Sequence, residues 1–261
     1  MNPMTKIYKS KFKEALNPYG FKLYRKTFYR SVNDVVQMMM LKSRSGEYTI
    51  EFEVHPLCLW GGDLHCDGSG EGIHLFRGDG PISLDYWYDI CTFTGRKLSD
   101  EEIEKVVDEM LSVVLENVMP IFERRKVWES WLKETTIWEQ AAYGSWINIK
   151  TGNYEKAISF LQGRLEKLQK SFPKVDPNDP YQLEKRANMG IIKKENIDEI
   201  RKRYIAAEKR TQESIIDLTK RIEMLTSSNK EYFDNAFAEQ EANSREFLDD
   251  PNKFKKKYGY S

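Results

Sequence analysis

Side chains of the types that do chemistry gather in the first hundred residues. All three histidines, His55, His65 and His74, and two of the three cysteines, Cys58 and Cys66, fall between positions 55 and 74. Zinc takes a tetrahedron of nitrogen and sulfur ligands, often as one close pair and one more distant pair. His55, Cys58, Cys66 and His74 supply that inventory, although their spacing fits no standard zinc module. The simpler reading makes the cysteines small core residues and the histidines hydrogen-bonded groups at strand ends. On that reading no cofactor is expected, and zinc is the alternative.

A second set is acidic. Asp34, Glu51 and Glu53 lie on or beside strand-like segments, and with Lys42 they supply the carboxylates and ammonium of a metal-dependent nuclease, which holds a divalent ion and steadies an attacking water. Their order along the chain does not match that chemistry. Glu51 and Glu53 also share the polar face of an amphipathic strand, where solvated acids are expected in any case.

A third set alternates cation and ring. Lys22, Tyr24, Lys26, Phe28 and Arg30 would line one side of a single strand, the pattern with which proteins grip single-stranded nucleic acid. Against this, long basic side chains lie readily over aromatic rings or pair with nearby acids, so nucleic acid is not the expected partner. Gly68, Gly70 and Gly72 lack the lysine and helix that would make a phosphate loop. No Ser/His/Asp or Cys/His order carries a nucleophile signature. Catalysis is therefore not the expected role.

Composition sets the frame. The 261 residues are 40% hydrophobic and 13% aromatic, enough for a real core, and the 41 basic and 41 acidic side chains cancel. No global field then draws the chain to polyanions or membranes. The charge is uneven locally, since residues 1–30 carry eight basic side chains and one acid, and residues 31–95 carry three basic and ten acidic. An odd cysteine count makes no disulfide framework, no apolar run approaches a membrane span, and the first residues have no apolar signal centre. A soluble, cytoplasmic protein is expected.

The elements that would position these residues follow from periodicity. Ile7, Tyr8, Phe12, Ala15 and Leu16 recur at helical spacing, with lysines between them, until residues 17–20 stop the pattern. From Phe21 the period becomes two. Tyr48, Ile50, Phe52 and Val54 alternate with Thr49, Glu51 and Glu53, while residues 35–41 are almost all apolar and predict a central strand. With a turn over 43–46, these predict an antiparallel meander. Short strands are expected at 73–76 and 83–93. Ser99 and Glu102 form a capping box that opens a helix along Ile103, Val107, Met110, Val114 and Val118. Pro120 is expected to kink or end it, with a further helix around Trp128 and Trp131.

The second half predicts helices almost throughout: a hairpin over 137–172, a proline-rich loop over 173–180, a long helix over 196–228 opened by a capping box at Asn196, and a tail over 229–261. Residues 152–158 resemble the turn and second helix of a tetratricopeptide repeat, without a second copy. The long helix carries an apolar stripe at Ile197, Ile200, Tyr204, Ile215, Leu218, Ile222 and Leu225, spaced close to 3.5 residues. That stripe is expected to pack on the hairpin, or else to form a coiled-coil arm with a second copy.

Over residues 12–125 the chain resembles the bacterial domain-of-unknown-function family 4304, through Leu16, Gly20-Phe21-Lys22, Phe28-Tyr29-Arg30, Asp34-Val35-Val36-Gln37 and Met119-Pro120-Ile121-Phe122. The resemblance implies a compact α+β domain whose N-terminal and later helices cover a curved antiparallel sheet, and it implies no chemistry. The expectation is thus an α+β domain over 1–135 and a helical region over 136–261. The expected role is non-catalytic: a bacterial or phage protein that binds a protein partner, or itself, through the C-terminal helices. By analogy with other orphan domains, an immunity or phage-defence component is the expected setting. A metal-dependent enzyme, and a nucleic-acid binder that uses the basic N-terminal strand and the tail from Lys253 to Lys257, are the alternatives.

Overall fold

The computed structural model describes residues 2–44, 47–61, 64, 88–89, 98–135, 137–171, 197–227 and 229–258. Among these, the chain is α+β. Helix α1 (Pro3–Leu16) leads into a sheet of β1 (Lys22–Tyr24), β2 (Thr27–Val32), β3 (Val35–Arg44) and β4 (Glu47–Pro56), to which the two-residue β5 (Tyr88–Asp89) adds at the edge. Helices α2 (Asp100–Val113), α3 (Met119–Arg124), α4 (Trp128–Lys133), α5 (Ile137–Lys150), α6 (Tyr154–Ser171), α7 (Ile197–Thr226), α8 (Lys230–Asp249) and α9 (Pro251–Tyr258) follow. No described helix is long and apolar enough to cross a membrane.

The chain divides into two compact units, one made of residues 1–143 and 235–261, the other of residues 144–234. The last stretch, which the sequence groups with the helical region, thus belongs to the same unit as the sheet.

In the first unit the strands form the expected meander, each antiparallel to the next in the order β1-β2-β3-β4-β5. The β1–β2 and β2–β3 turns have two residues each, and their first residues, Arg25 and Asn33, sit at φ 56° and 54°. Of the turn expected over 43–46, Ser45 and Gly46 lie outside the described residues, as do the 73–76 strand and all of the 83–93 strand but β5.

Alternation along the strands splits the sheet into two faces. Phe28, Met39, Phe52 and Val54 point to one, where Phe28 meets Tyr8 and Phe12 of α1 and Phe52 meets Phe122 of α3 edge-on at 5.7 Å. Tyr29, Val36, Met38 and Met40 point to the other, where they form one buried cluster with Leu57, Trp60, Phe247 and Leu248. The sheet is therefore buried on both faces, the second by the returning C-terminal segment. Polar side chains fix that segment to the strand ends: Ser244 Oγ donates to the Leu57 carbonyl at 2.9 Å, and Tyr29 Oη donates to the Leu248 carbonyl at 3.2 Å.

Helix α2 begins with the expected capping box, Glu102 N–H to Ser99 Oγ at 3.2 Å and Ser99 N–H to the Glu102 carboxylate at 2.7 Å. It does not stop at Pro120. The backbone widens into a π-helical turn over Val114–Val118 and restarts as α3 with Pro120 in its first turn, where a missing N–H leaves no bond unmade.

In the second unit α6 packs along α7. Ala157 and Leu161 of α6 and Leu218 and Leu225 of α7 are buried. Helix α5 ends in a Schellman arrangement: Asn153 N–H bonds the Asn148 carbonyl and Gly152 N–H bonds the Ile149 carbonyl, with Gly152 at φ 77°. Trp146 meets Phe233 at 6.5 Å and carries the Arg221 guanidinium over its ring at 4.3 Å. The loop over 173–180 and the capping residue Asn196 lie outside the described residues. Ile197, Ile200 and Tyr204 lie on α7, as do Ile215 and Ile222.

Candidate functional site

The strand face read as polar and solvated carries a cluster of ionisable side chains, and Glu53 and His55 within it are buried. Glu53, at 5% exposure, and His55, at 2%, stand two residues apart on β4, beside Met38 and Val36 of β3. The sequence reading that left Glu51 and Glu53 to solvent is corrected on this point: the returning C-terminal segment and Tyr143 of α5 cover the face. His55 Nε2 lies 2.9 Å from the Glu53 carboxylate, and its Nδ1 lies 3.1 Å from Tyr143 Oη. Tyr143 also packs edge-on to Trp131, whose indole N–H donates to the Val54 carbonyl at 3.0 Å. Two residues before Glu53 on the same strand, the Glu51 carboxylate meets Lys42 Nζ of β3 at 3.0 Å.

A carboxylate, an imidazole and a phenol joined in this order can pass or hold a proton. Two arrangements satisfy the distances. A neutral ring donates from Nε2 to Glu53 and accepts from Tyr143 at Nδ1, whereas an imidazolium donates at both nitrogens. Tyr143 is 6% exposed, so all three members meet one another within the fold. The geometry ties β4 to α5 with satisfied buried polar groups, as burial in a low dielectric demands.

The residues expected to act together are mostly apart. Asp34 accepts the Trp128 N–H at 3.0 Å and so caps the start of α4. Glu51 pairs with Met40, six residues along β3 from Asp34, which at strand rise is about 20 Å. These carboxylates cannot share one ion. Both ring nitrogens of His55 are engaged by Glu53 and Tyr143, so a metal would have to displace one of them. Cys58 is buried, while Cys66 and His74 lie outside the described residues. Among the described residues, no group of three or more His, Cys, Asp and Glu side chains is placed to hold a metal ion.

The basic and aromatic run does not form one strand. A turn at Arg25 and Lys26 breaks it into β1 and β2, and the register sets Lys22 and Tyr24 with Tyr29 and Thr27, opposite to Phe28 and Arg30. Phe28 is buried in the core, and Arg30 at 9% exposure is engaged through each of its three nitrogens. Its Nε donates to Gln37 Oε1 at 2.8 Å, Nη1 to the Tyr19 carbonyl at 2.9 Å and Nη2 to Glu123 at 2.8 Å, with the Phe21 ring 4.8 Å beneath. That bond to Arg30, ahead of its charge and that of Lys126, holds the Glu123 carboxyl below its ordinary value. Lys22, Arg25 and Lys26 remain exposed at the hairpin.

Periodicity could not supply Tyr143, which is 88 positions from His55. In the second unit, Ile205 and Ile216 of α7 and Phe160 of α6 are exposed at 44%, 67% and 37%. Comparison of the chain with protein-family models, curated proteins and solved structures finds no match in any of the three.

Proposed function

We propose that this chain is a non-catalytic module that binds a protein partner through its helical unit. The surface of α7 is the observation that carries this reading. Its stripe at Leu218 and Leu225 is buried, yet Ile205 and Ile216, eleven residues or about three turns apart and hence on one side of the helix, stay exposed at 44% and 67%. Exposed branched side chains repeated on one helix side suit a helix-in-groove or helix-on-helix contact. In the first unit Glu53 is engaged with His55 and Arg30 with Glu123, which suits a fold built for stability and display. By analogy with other orphan domains, immunity or phage defence in bacteria is its proposed setting.

The test is capture from the native cell with the whole chain and with the Ile205→Asp, Ile216→Asp double variant, both shown to melt alike. A partner held by the first and lost by the second carries the reading. A partner retained by the double variant, or none held by either, ends it.

A further inference from the structure

The two basic segments of the first unit, over 200 residues apart in the chain, meet at one aromatic ring. Tyr24 ends β1, half-buried against the Tyr29 and Phe247 cluster. The Arg25 guanidinium lies 5.4 Å and the Lys255 ammonium 5.8 Å from its ring centroid. Lys22 stands two residues before Tyr24 on the same face of β1, and Lys26 completes the turn. Among the described residues, Lys22, Arg25, Lys26 and Lys255 form no ion pair, in contrast to the neighbouring Lys257, which bonds Glu246 at 2.7 Å.

Two further observations mark this cluster as more than scattered surface charge. Arg25 holds φ 56°, a left-handed conformation that glycine or asparagine adopts with less strain. The hairpin tip therefore keeps a long cation where a smaller residue would be more stable. Phe254, the apolar side chain of α9 beside Lys255, packs on Phe247 at 5.3 Å and faces inward. Among its described side chains the helix consequently offers cations outward and no apolar wedge for a bilayer.

We propose that Lys22, Arg25, Lys26 and Lys255, grouped around Tyr24, form a binding site for single-stranded nucleic acid. The four cations follow the phosphates, and the Tyr24 ring and Arg25 plane give sequence-tolerant stacking. The site is independent of protein docking on α7, and either can fail without the other. Phe28 and Arg30, expected from sequence on the same side as Lys22 and Tyr24, are buried on the opposite face and take no part in it.

The experiment is fluorescence anisotropy with a labelled mixed-sequence single-stranded RNA and the full chain, over a salt series. Four phosphate contacts predict a slope of log affinity on log salt near −2.8, or about 50-fold weaker binding between ~50 and ~200 mM salt. Arg25→Gly should melt no lower than the parent, because it relieves the left-handed residue. It should nevertheless bind more weakly and flatten the slope by about 0.7. Lys255→Gln should do the same, whereas Lys105→Gln on the remote α2 should change neither. Undetectable RNA binding at low salt overturns the proposal, as does binding that Arg25→Gly and Lys255→Gln leave unchanged. Binding to phosphatidylserine vesicles in place of RNA overturns it equally.

Discussion

His55 and Glu53 project from the same face of β4 with 2.9 Å between Nε2 and the carboxylate, and Tyr143 closes the other side of the imidazole at 3.1 Å. Each of the three is at most 6% exposed. A buried polar pair of this kind is costly to break from one side, since the survivor keeps its desolvation penalty without its partner. His55→Ala or Glu53→Ala alone should each cost about 3–5 kcal/mol in urea unfolding. The double variant Glu53→Met, His55→Leu should recover much of that loss. Single and double variants that lose equal stability would show that the pair is not coupled.

How far the sequence foretold this arrangement depends on the range of each interaction. The apolar alternation Tyr48, Ile50, Phe52 and Val54 identified the inner face of β4, and Ser99 with Glu102 marked the start of α2, because both signals lie within a few residues. The opposite face misled, because the pattern of Glu51 and Glu53 is the same whether water or protein covers it. Its cover comes from Tyr143 and from Phe247 and Leu248, which are distant in the chain and have no local signature. Likewise, the run from Lys22 to Arg30 reads as one strand until the left-handed residue at Arg25 divides it. The meeting of Tyr24 and Lys255 is invisible to any window.

Trp131 ties α4 to the backbone of β4. Its indole N–H donates to the Val54 carbonyl at 3.0 Å, and its ring is buried against Trp128 and Tyr143. Trp131→Phe preserves most of the packing and leaves that carbonyl without its donor, so a loss of about 1–3 kcal/mol is expected. Trp131→Ala adds a cavity and should cost about 3–5 kcal/mol. Equal effects of the two changes in chemical denaturation would remove the hydrogen bond from the account.

Acid should act on the link between Arg30 and Glu123. The bond from Arg30 holds the Glu123 carboxyl below its ordinary 4.5, so the folded chain releases this proton more readily than the unfolded one. The contribution is therefore complete above the unfolded value and disappears as pH falls through the lower, folded one. With the Glu123 side chain 54% exposed, screening should keep it under about 1 kcal/mol. Comparing Glu123→Gln with the parent, the stability gap should be present near pH ~6 and close in stronger acid. A gap that widens on acidification would reverse the sign argued here.

The C-terminal return is the last support of the sheet. Phe247, at 2% exposure, packs edge-on to Trp60 at 5.6 Å and to Phe254, and it shares one cluster with Tyr29, Met38 and Met40. Removing its ring takes apolar cover from β2 and β3 together, so Phe247→Ala should cost about 3–5 kcal/mol. A chain ending at residue 234 should do worse: it loses the whole layer and bares Val36, Met38, Met40 and Tyr29 as one apolar face. The expected result is a strong rise in binding of a hydrophobic dye, with aggregation on warming. Ile216→Ala, which alters a side chain already 67% exposed, should leave melting within about 0.5 kcal/mol of the parent. If the truncated chain melted cooperatively near the parent temperature without binding the dye, the α1, α2 and α3 side alone would hold the sheet. The C-terminal segment would then be an accessory to the fold.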